Sequence, residues 1–186
     1  YEMLWSDWSS DVCSSDLTVS WFQILNSFFI ITLASSFSKL WEKVWNPSGP
    51  VKFALGLIFV AVGFFALSYG SLSIPQGAKT ATVSMIWLIL AYFFHTLGEL
   101  CLSPVGLSYV SKLSPKKFVG LLFGFWFTAS AIANFIAGYT GAYIDKISAM
   151  YSLSTFFIII AALPLSAALM LLLFNKKLVK MMHGIK

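Results

Sequence analysis

The segment His95-Thr-Leu-Gly-Glu-Leu-Cys-Leu-Ser-Pro-Val-Gly-Leu-Ser108 places a carboxylate, Glu99, inside an otherwise lipid-like run. From Val83 to Leu102 almost every residue is apolar, and at about 1.5 Å per residue such a run crosses a hydrocarbon core of ~30 Å. A charge at that depth costs roughly 2.5–3.5 kcal/mol on insertion scales, so an acid found there ordinarily faces a bundle interior or an aqueous cavity and marks an ion or substrate path. The plainer alternative is a protonated glutamic acid hydrogen-bonded between helices. At helical spacing Tyr92, His95, Thr96, Glu99, Ser103 and Gly106 share one polar or small stripe. His95 is open to two uses on that stripe, a proton relay or a ring bonded to a backbone carbonyl of a neighbouring helix. Pro104 lacks an amide donor and crowds the carbonyl of Leu100, which predicts a kink just past Glu99.

The elements that must carry this stripe are membrane spans. The chain is 59% hydrophobic and 10% charged, whereas soluble domains hold about 25% charged residues. All twelve basic residues are lysines. They fall between apolar runs and build no basic face, which argues against a nucleic-acid partner. Cys13 and Cys101 form no plausible disulfide framework. Neither zinc-ligand spacing, nor a phosphate-binding loop, nor a nucleophile elbow is present, so no metal, cofactor or catalytic residue is expected.

Residues 7–17, DWSSDVCSSDL, correspond residue for residue to the translation of a short-read sequencing adapter, and residues 1–17 are expected to be a non-native segment. The alternative is a natural Ser/Asp-rich linker. Without residues 1–17 the acids that remain are Glu42, Glu99 and Asp145.

Five apolar runs follow, at 21–41, 53–71, 83–102, 118–144 and 154–174, which predicts an all-α integral membrane bundle over 18–186. Gln23 and Asn26 interrupt the first. An amide at that depth needs a partner, either a neighbouring helix or a substrate. Asn46-Pro47 and Gly49-Pro50 punctuate the connector after it. Gly56 and Gly63 in the second span read as helix-packing notches, and Gly120 and Gly124 in the fourth as a close-packing pair, continued by Ser130, Asn134 and Gly138. Trp126 lies mid-span, away from the interfacial belts, and either packs in the bundle or walls a cavity. Pro164 predicts a kink in the fifth span, and a cationic tail, NKKLVKMMHGIK, follows it. Antiparallel alternation gathers Lys39, Lys43, Lys52, Lys112, Lys116, Lys117, Lys176, Lys177, Lys180 and Lys186 on one side, with Lys79 and Lys146 on the other. That asymmetry predicts a cytoplasmic C-terminus.

Two stretches, Phe22-Gln-Ile-Leu-Asn-Ser-Phe-Phe-Ile-Ile31 and Gly98-Glu-Leu-Cys-Leu-Ser-Pro-Val-Gly-Leu-Ser108, together with Gly124-Phe-Trp-Phe127 and Asn134-Phe-Ile-Ala-Gly138, give the chain its likeness to a known family. It resembles the proton-dependent oligopeptide transporters of the major facilitator superfamily, specifically bacterial di- and tripeptide transporters. The resemblance implies that 18–186 corresponds to helices 8–12 of a twelve-helix fold in the cytoplasmic (inner) membrane, the first seven helices being the missing partner. It implies proton-coupled symport, with a di- or tripeptide and the lipid bilayer as partners and the proton as coupling ion. By the same resemblance Asn26 and Glu99 hold the substrate's amino end, Ser103, Trp126 and Phe127 line a side-chain pocket, and Glu99, more weakly His95, couples protons. Ser27 and Ser35 depart from the family, whose members commonly carry proline there. The family's Glu-x-x-Glu-Arg motif belongs to the N-terminal half and does not occur in this chain.

Two other classes compete. A membrane-embedded enzyme could use His95 and Glu99, one turn apart, as acid and base, although no nucleophile or third metal ligand accompanies them. A membrane fragment without autonomous function is the other.

Overall fold

A computed structural model describes residues 24–44, 46–72, 74, 84–144 and 150–182. Residues 1–17, Gln23, Lys79, Asp145, Lys146 and Lys186 therefore lie outside the described residues. Five helices long and apolar enough to cross a membrane are present among the described residues: α1 (Ile24–Lys43), α2 (Gly49–Ser71), α3 (Ile86–Leu113), α4 (Val119–Ala142) and α5 (Leu153–Met181). The chain is an integral, multi-pass membrane protein. Helices satisfy every backbone polar group internally, which the bilayer core demands.

Several boundaries differ from the sequence expectation. The third span does not stop near Leu102 but runs through Pro104 to Leu113. Proline removes only one ladder bond, and contacts on both sides of it hold the helix. The fifth span extends past 174 to Met181, so Lys176, Lys177 and Lys180 belong to the helix rather than to a free tail. Cations in a last turn complement the helix dipole. The second span starts at Gly49, with Pro50 in the first turn, where a missing N–H costs nothing. The last turn of α1 widens into a π-helix over Leu40–Val44.

Small residues let α2 sit between α3 and α5. Ala54, Ala61, Ala161 and Ala168 are at most 1% exposed, and Ser68 Oγ lies 2.8 Å from Ser154 Oγ across the α2–α5 contact. Without a hydrophobic drive between helices in lipid, such close approach and hydrogen bonding hold the bundle. On the other side of α2, Gly56 and Gly98 face each other. A Cβ on Gly98 would stand 2.8 Å from the Gly56 carbonyl oxygen, and one on Gly56 would stand 3.0 Å from the Gly98 oxygen. The notch expected at Gly56 is real, and its counterpart is the glycine next to Glu99.

The expected packing pair on α4 behaves differently. A Cβ on Gly120, Gly124 or Gly138 would meet nothing within 4 Å, and no described residue of α4 is buried. That face has no neighbour among the described residues. Its hydroxyls are answered locally: Thr128 and Thr140 donate to the carbonyls of Gly124 and Ile136, each at 2.8 Å. Ser130 donates to the Trp126 carbonyl at 3.1 Å.

The helix ends follow the antiparallel pattern. Ser48, preceding α2, donates to Asn175 near the end of α5 at 2.9 Å, and the end of α1, the start of α2 and the end of α3 line one groove. All described lysines gather at this end.

Gly98→Ala should destabilise the protein by about 1–3 kcal/mol, because the carbonyl it meets is backbone and cannot give way. Gly124→Ala should be neutral or stabilising by up to about 1 kcal/mol, since only helix propensity changes. Thermal unfolding of both variants in detergent checks the contrast.

Candidate functional site

At 3.6 residues per turn α3 presents distinct sides to its neighbours. The side carrying Ala91, His95, Gly98 and Leu102 meets α2, where Gly56 and Gly63 receive it. The side carrying Phe93 and Thr96 meets α1: Phe29 and Phe93 stack edge to face with centroids 5.5 Å apart, and Thr96 Oγ1 lies 2.5 Å from Asn26 Oδ1. At Gly106 the Trp126 indole of α4 occupies the space a Cβ would take. Between Thr96 and Gly106, in the angular gap between α1 and α4, fall Tyr92, Glu99 and Ser103.

Glu99 is accordingly exposed, not buried between helices of this chain. The alternative of a structural acid bonded within the bundle has no support among the described helices. Ser103 is half-buried one turn further along. Asn26 is half-buried at the α1 edge of this open face and Trp126 half-buried at its α4 edge. The fold therefore brings Asn26, Glu99, Ser103 and Trp126 around one face. Phe127, the position after Trp126 on α4, is 62% exposed.

His95 turns the other way. Its ring packs against α2 in the space over Gly63, with Phe64 4.7 Å away between ring centroids. Nε2 is buried there without a hydrogen-bond partner. His95 and Glu99, although one turn apart, thus do not share an opening as an acid–base pair would need to. Among the described residues no cluster of three or more His, Cys, Asp or Glu could hold a metal ion.

One feature escaped the sequence. A groove of about 480 Å³ separates α1 from α3 at the lysine end, lined by Ser38, Trp41, Glu42, Lys52, Tyr109 and Lys112 among others. Lys52 Nζ stands 5.1 Å from the Trp41 ring centroid and donates to Asn46 Oδ1 at 2.8 Å. These residues come from three helix ends, so the signal in the sequence was only that adjacent antiparallel spans place their lysines at one level.

Comparison with known proteins bears on what this face does. The sequence profile of the POT family matches residues 9–159. An uncharacterized transporter, YclF, of Bacillus subtilis is 41% identical over 134 residues, 71% of this chain and 26% of its own length. The peptide transporter YePEPT of Yersinia enterocolitica is 36% identical over 167 residues, 87% of this chain and 32% of its own length. A di-/tripeptide transporter of Lactococcus lactis is 31% identical, covering 90% of this chain and 33% of its own length. Among solved structures, a peptide transporter POT in complex with sulfate superposes with a TM-score of 0.69 at 38% identity, covering 84% of this chain and 31% of that one. A POT family transporter in complex with a thioalcohol-conjugated peptide gives 0.70 at 29% identity, over 82% of this chain and 30% of that one. The chain spans about a quarter to a third of the length of the curated relatives it matches.

The packing of His95 over Gly63 predicts coupling between the two. A Cβ on Gly63 would stand 2.5 Å from His95 Cδ2 but 3.2 Å from the nearest backbone oxygen, that of Ala91. Gly63→Ala and His95→Ala should each destabilise by about 1–3 kcal/mol. The double variant should be at least about 0.5 kcal/mol more stable than their sum, as read by thermal unfolding in detergent.

Proposed function

The chain belongs to the POT family, and from that premise we propose that it is part of a proton-coupled symporter of di- and tripeptides, its open α3 face forming one wall of the substrate chamber. The observation that carries this reading is the position of Glu99: a carboxylate within a membrane-spanning helix, exposed in the gap between α1 and α4, with the Asn26 amide at one edge. A charge at membrane depth is tolerated where it meets water, a counter-charge or a proton. The relatives named as peptide transporters, and the solved POT family transporter holding a conjugated peptide, support a peptide as the ligand.

The chemistry follows from one acid with two competing partners. Protonated, Glu99 is neutral and crosses between states without a counter-ion. Ionised, it attracts the ammonium of a peptide's amino end, and that cation in turn disfavours the proton. Occupancy by one ligand thereby sets affinity for the other, which is the thermodynamic content of coupling. Alternating access would come from rocking of this bundle against a second one, supplied by the seven helices that would complete a twelve-helix fold. Asn26, Ser103 and Trp126 frame the same face and are placed to contact the peptide. No cofactor beyond the coupling proton enters this scheme. The lysine-rich end is assigned to the cytoplasm, with the C-terminus inside and the protein in the cytoplasmic membrane. Members of the family are transporters, not enzymes, which sets aside the His95/Glu99 acid–base reading.

Uptake of a labelled dipeptide by the full-length transporter containing this sequence, in proteoliposomes with an imposed proton gradient, tests the proposal. Glu99→Gln should reduce gradient-driven accumulation about tenfold or more, in keeping with a coupling of a few kcal/mol, while sparing counterflow exchange. Unchanged accumulation would remove Glu99 from the mechanism.

A further inference from the structure

The groove at the lysine end is charged at its rim only. That rim carries Trp41 and Glu42 from the π-helical end of α1, Lys52 from α2, and Tyr109 and Lys112 from α3. Further along the spans the walls are Ala34, Phe37, Leu100 and Val105. Leu100 and Lys112 are twelve residues apart on α3, so the lining runs about 18 Å along the helix at ~1.5 Å per residue. One leaflet contributes about 15 Å of a ~30 Å hydrocarbon core. The groove, of about 480 Å³, is therefore polar at the level of headgroups and apolar through about one leaflet. A free ion would use only its rim, and its depth matches a phospholipid.

The charges say which phospholipid. Lys52 is the fourth residue of α2, whose first turn holds no acid. A cation near a helix N-terminus is opposed by the dipole, whereas an anion there is favoured. The ammonium is nevertheless held at the rim: Nζ stands 5.1 Å from the Trp41 ring centroid and donates to Asn46 Oδ1 at 2.8 Å, which uses one of its three donors. Tyr109 seats α3 against the start of α2, because a Cβ on Gly49 would overlap its ring. Lys112, one turn further along α3, thereby lines the same rim as Lys52. These two ammoniums and the Glu42 carboxylate sum to a charge of +1. A headgroup of net charge −1 neutralises that rim, and a zwitterionic headgroup leaves the excess in place. We propose that this groove binds one anionic phospholipid of the phosphatidylglycerol type from the lysine-side leaflet, its phosphate between Lys52 and Lys112 and one acyl chain along Phe37 and Val105. The glycerol hydroxyls of such a headgroup are donors, and Glu42 is the acceptor at hand. The inference requires these helices to lie in a bilayer and does not rest on the transport reading.

Native mass spectrometry of the full-length transporter containing this sequence, titrated in detergent with dioleoyl phosphatidylglycerol, tests the assignment. One lipid should bind tightly, and dioleoyl phosphatidylcholine should bind about fivefold more weakly or worse, for want of a net charge. Lys52→Gln combined with Lys112→Gln should weaken phosphatidylglycerol about tenfold or more, the loss of two cations beside an anionic headgroup. Lys177→Gln removes an exposed lysine near the same end of α5 and should change the affinity by less than about twofold, its charge being screened. Equal losses from the two sets of variants, or equal affinity for the two lipids, would mean diffuse attraction to a basic surface and overturn the site. Excess glycerol phosphate, which has the anion without the chains, should leave the lipid bound; displacement would mark a free-anion site and contradict the proposal. In wild-type protein in bilayers, phosphatidylglycerol carrying a mid-chain diazirine should label α1 near Phe37 or α3 near Val105. Excess unlabelled phosphatidylglycerol should suppress that labelling, and excess phosphatidylcholine should not. Labelling confined to other helices would mean that further helices of the full-length protein fill the groove, and the proposal would fall.

Discussion

An ionisable carboxylate within the span of an apolar helix cannot be left unanswered, and the organisation of α3 follows from that constraint. Desolvating Glu99 among hydrocarbon would be costly, and no described helix of this chain encloses it. The fold instead packs three sides of α3 against α1, α2 and α4 and leaves the sector between α1 and α4 open. Gly98, the residue immediately before the acid, packs directly against the Gly56 backbone of α2. One residue of helical rotation then separates this backbone contact from the exposed carboxylate.

That arrangement explains why the small residues sit where they do. Gly56, Gly63 and Gly98 let α2 and α3 approach until backbone oxygens and ring atoms fill the space of the missing side chains. The result fixes the rotation of α3 about its axis, and hence the direction of Glu99. On the opposite flank the Asn26–Thr96 bond ties α1 to the same helix. On the third side Trp126 reaches Gly106 and brings an aromatic wall to the edge of the open sector. Tight packing on one side and an accessible acid on the other are two consequences of one helix register.

Much of this was legible in the sequence. Long apolar runs and lysine-bearing turns gave the span number and the common lysine end, because hydropathy and helix alternation are local properties. The polar stripe from Tyr92 to Gly106 was visible in spacing, and the fold puts Glu99 and Ser103 on its open part. What spacing could not resolve was which neighbour each stripe residue meets. His95 and Glu99 look like companions at one-turn separation, yet a small rotation sends the ring over Gly63 of α2 and the acid to the opening. Glycine spacing was ambiguous for the same reason. Gly56 and Gly120–Gly124 read alike along the chain, and among the described helices only the first has one against it. The apolar runs understated α3 and α5, whose helices continue to Leu113 and Met181.

The central claim is that position 99 faces an aqueous, peptide-reachable chamber. A spin label attached at Glu99→Cys in the full-length transporter, with its collision rates toward a water-soluble nickel complex and toward oxygen measured in lipid bilayers, tests it most directly. The account predicts that the nickel complex reaches the label and that a saturating dipeptide reduces this access. A label reached by oxygen alone, with no response to peptide, would place the side chain in lipid and contradict the account.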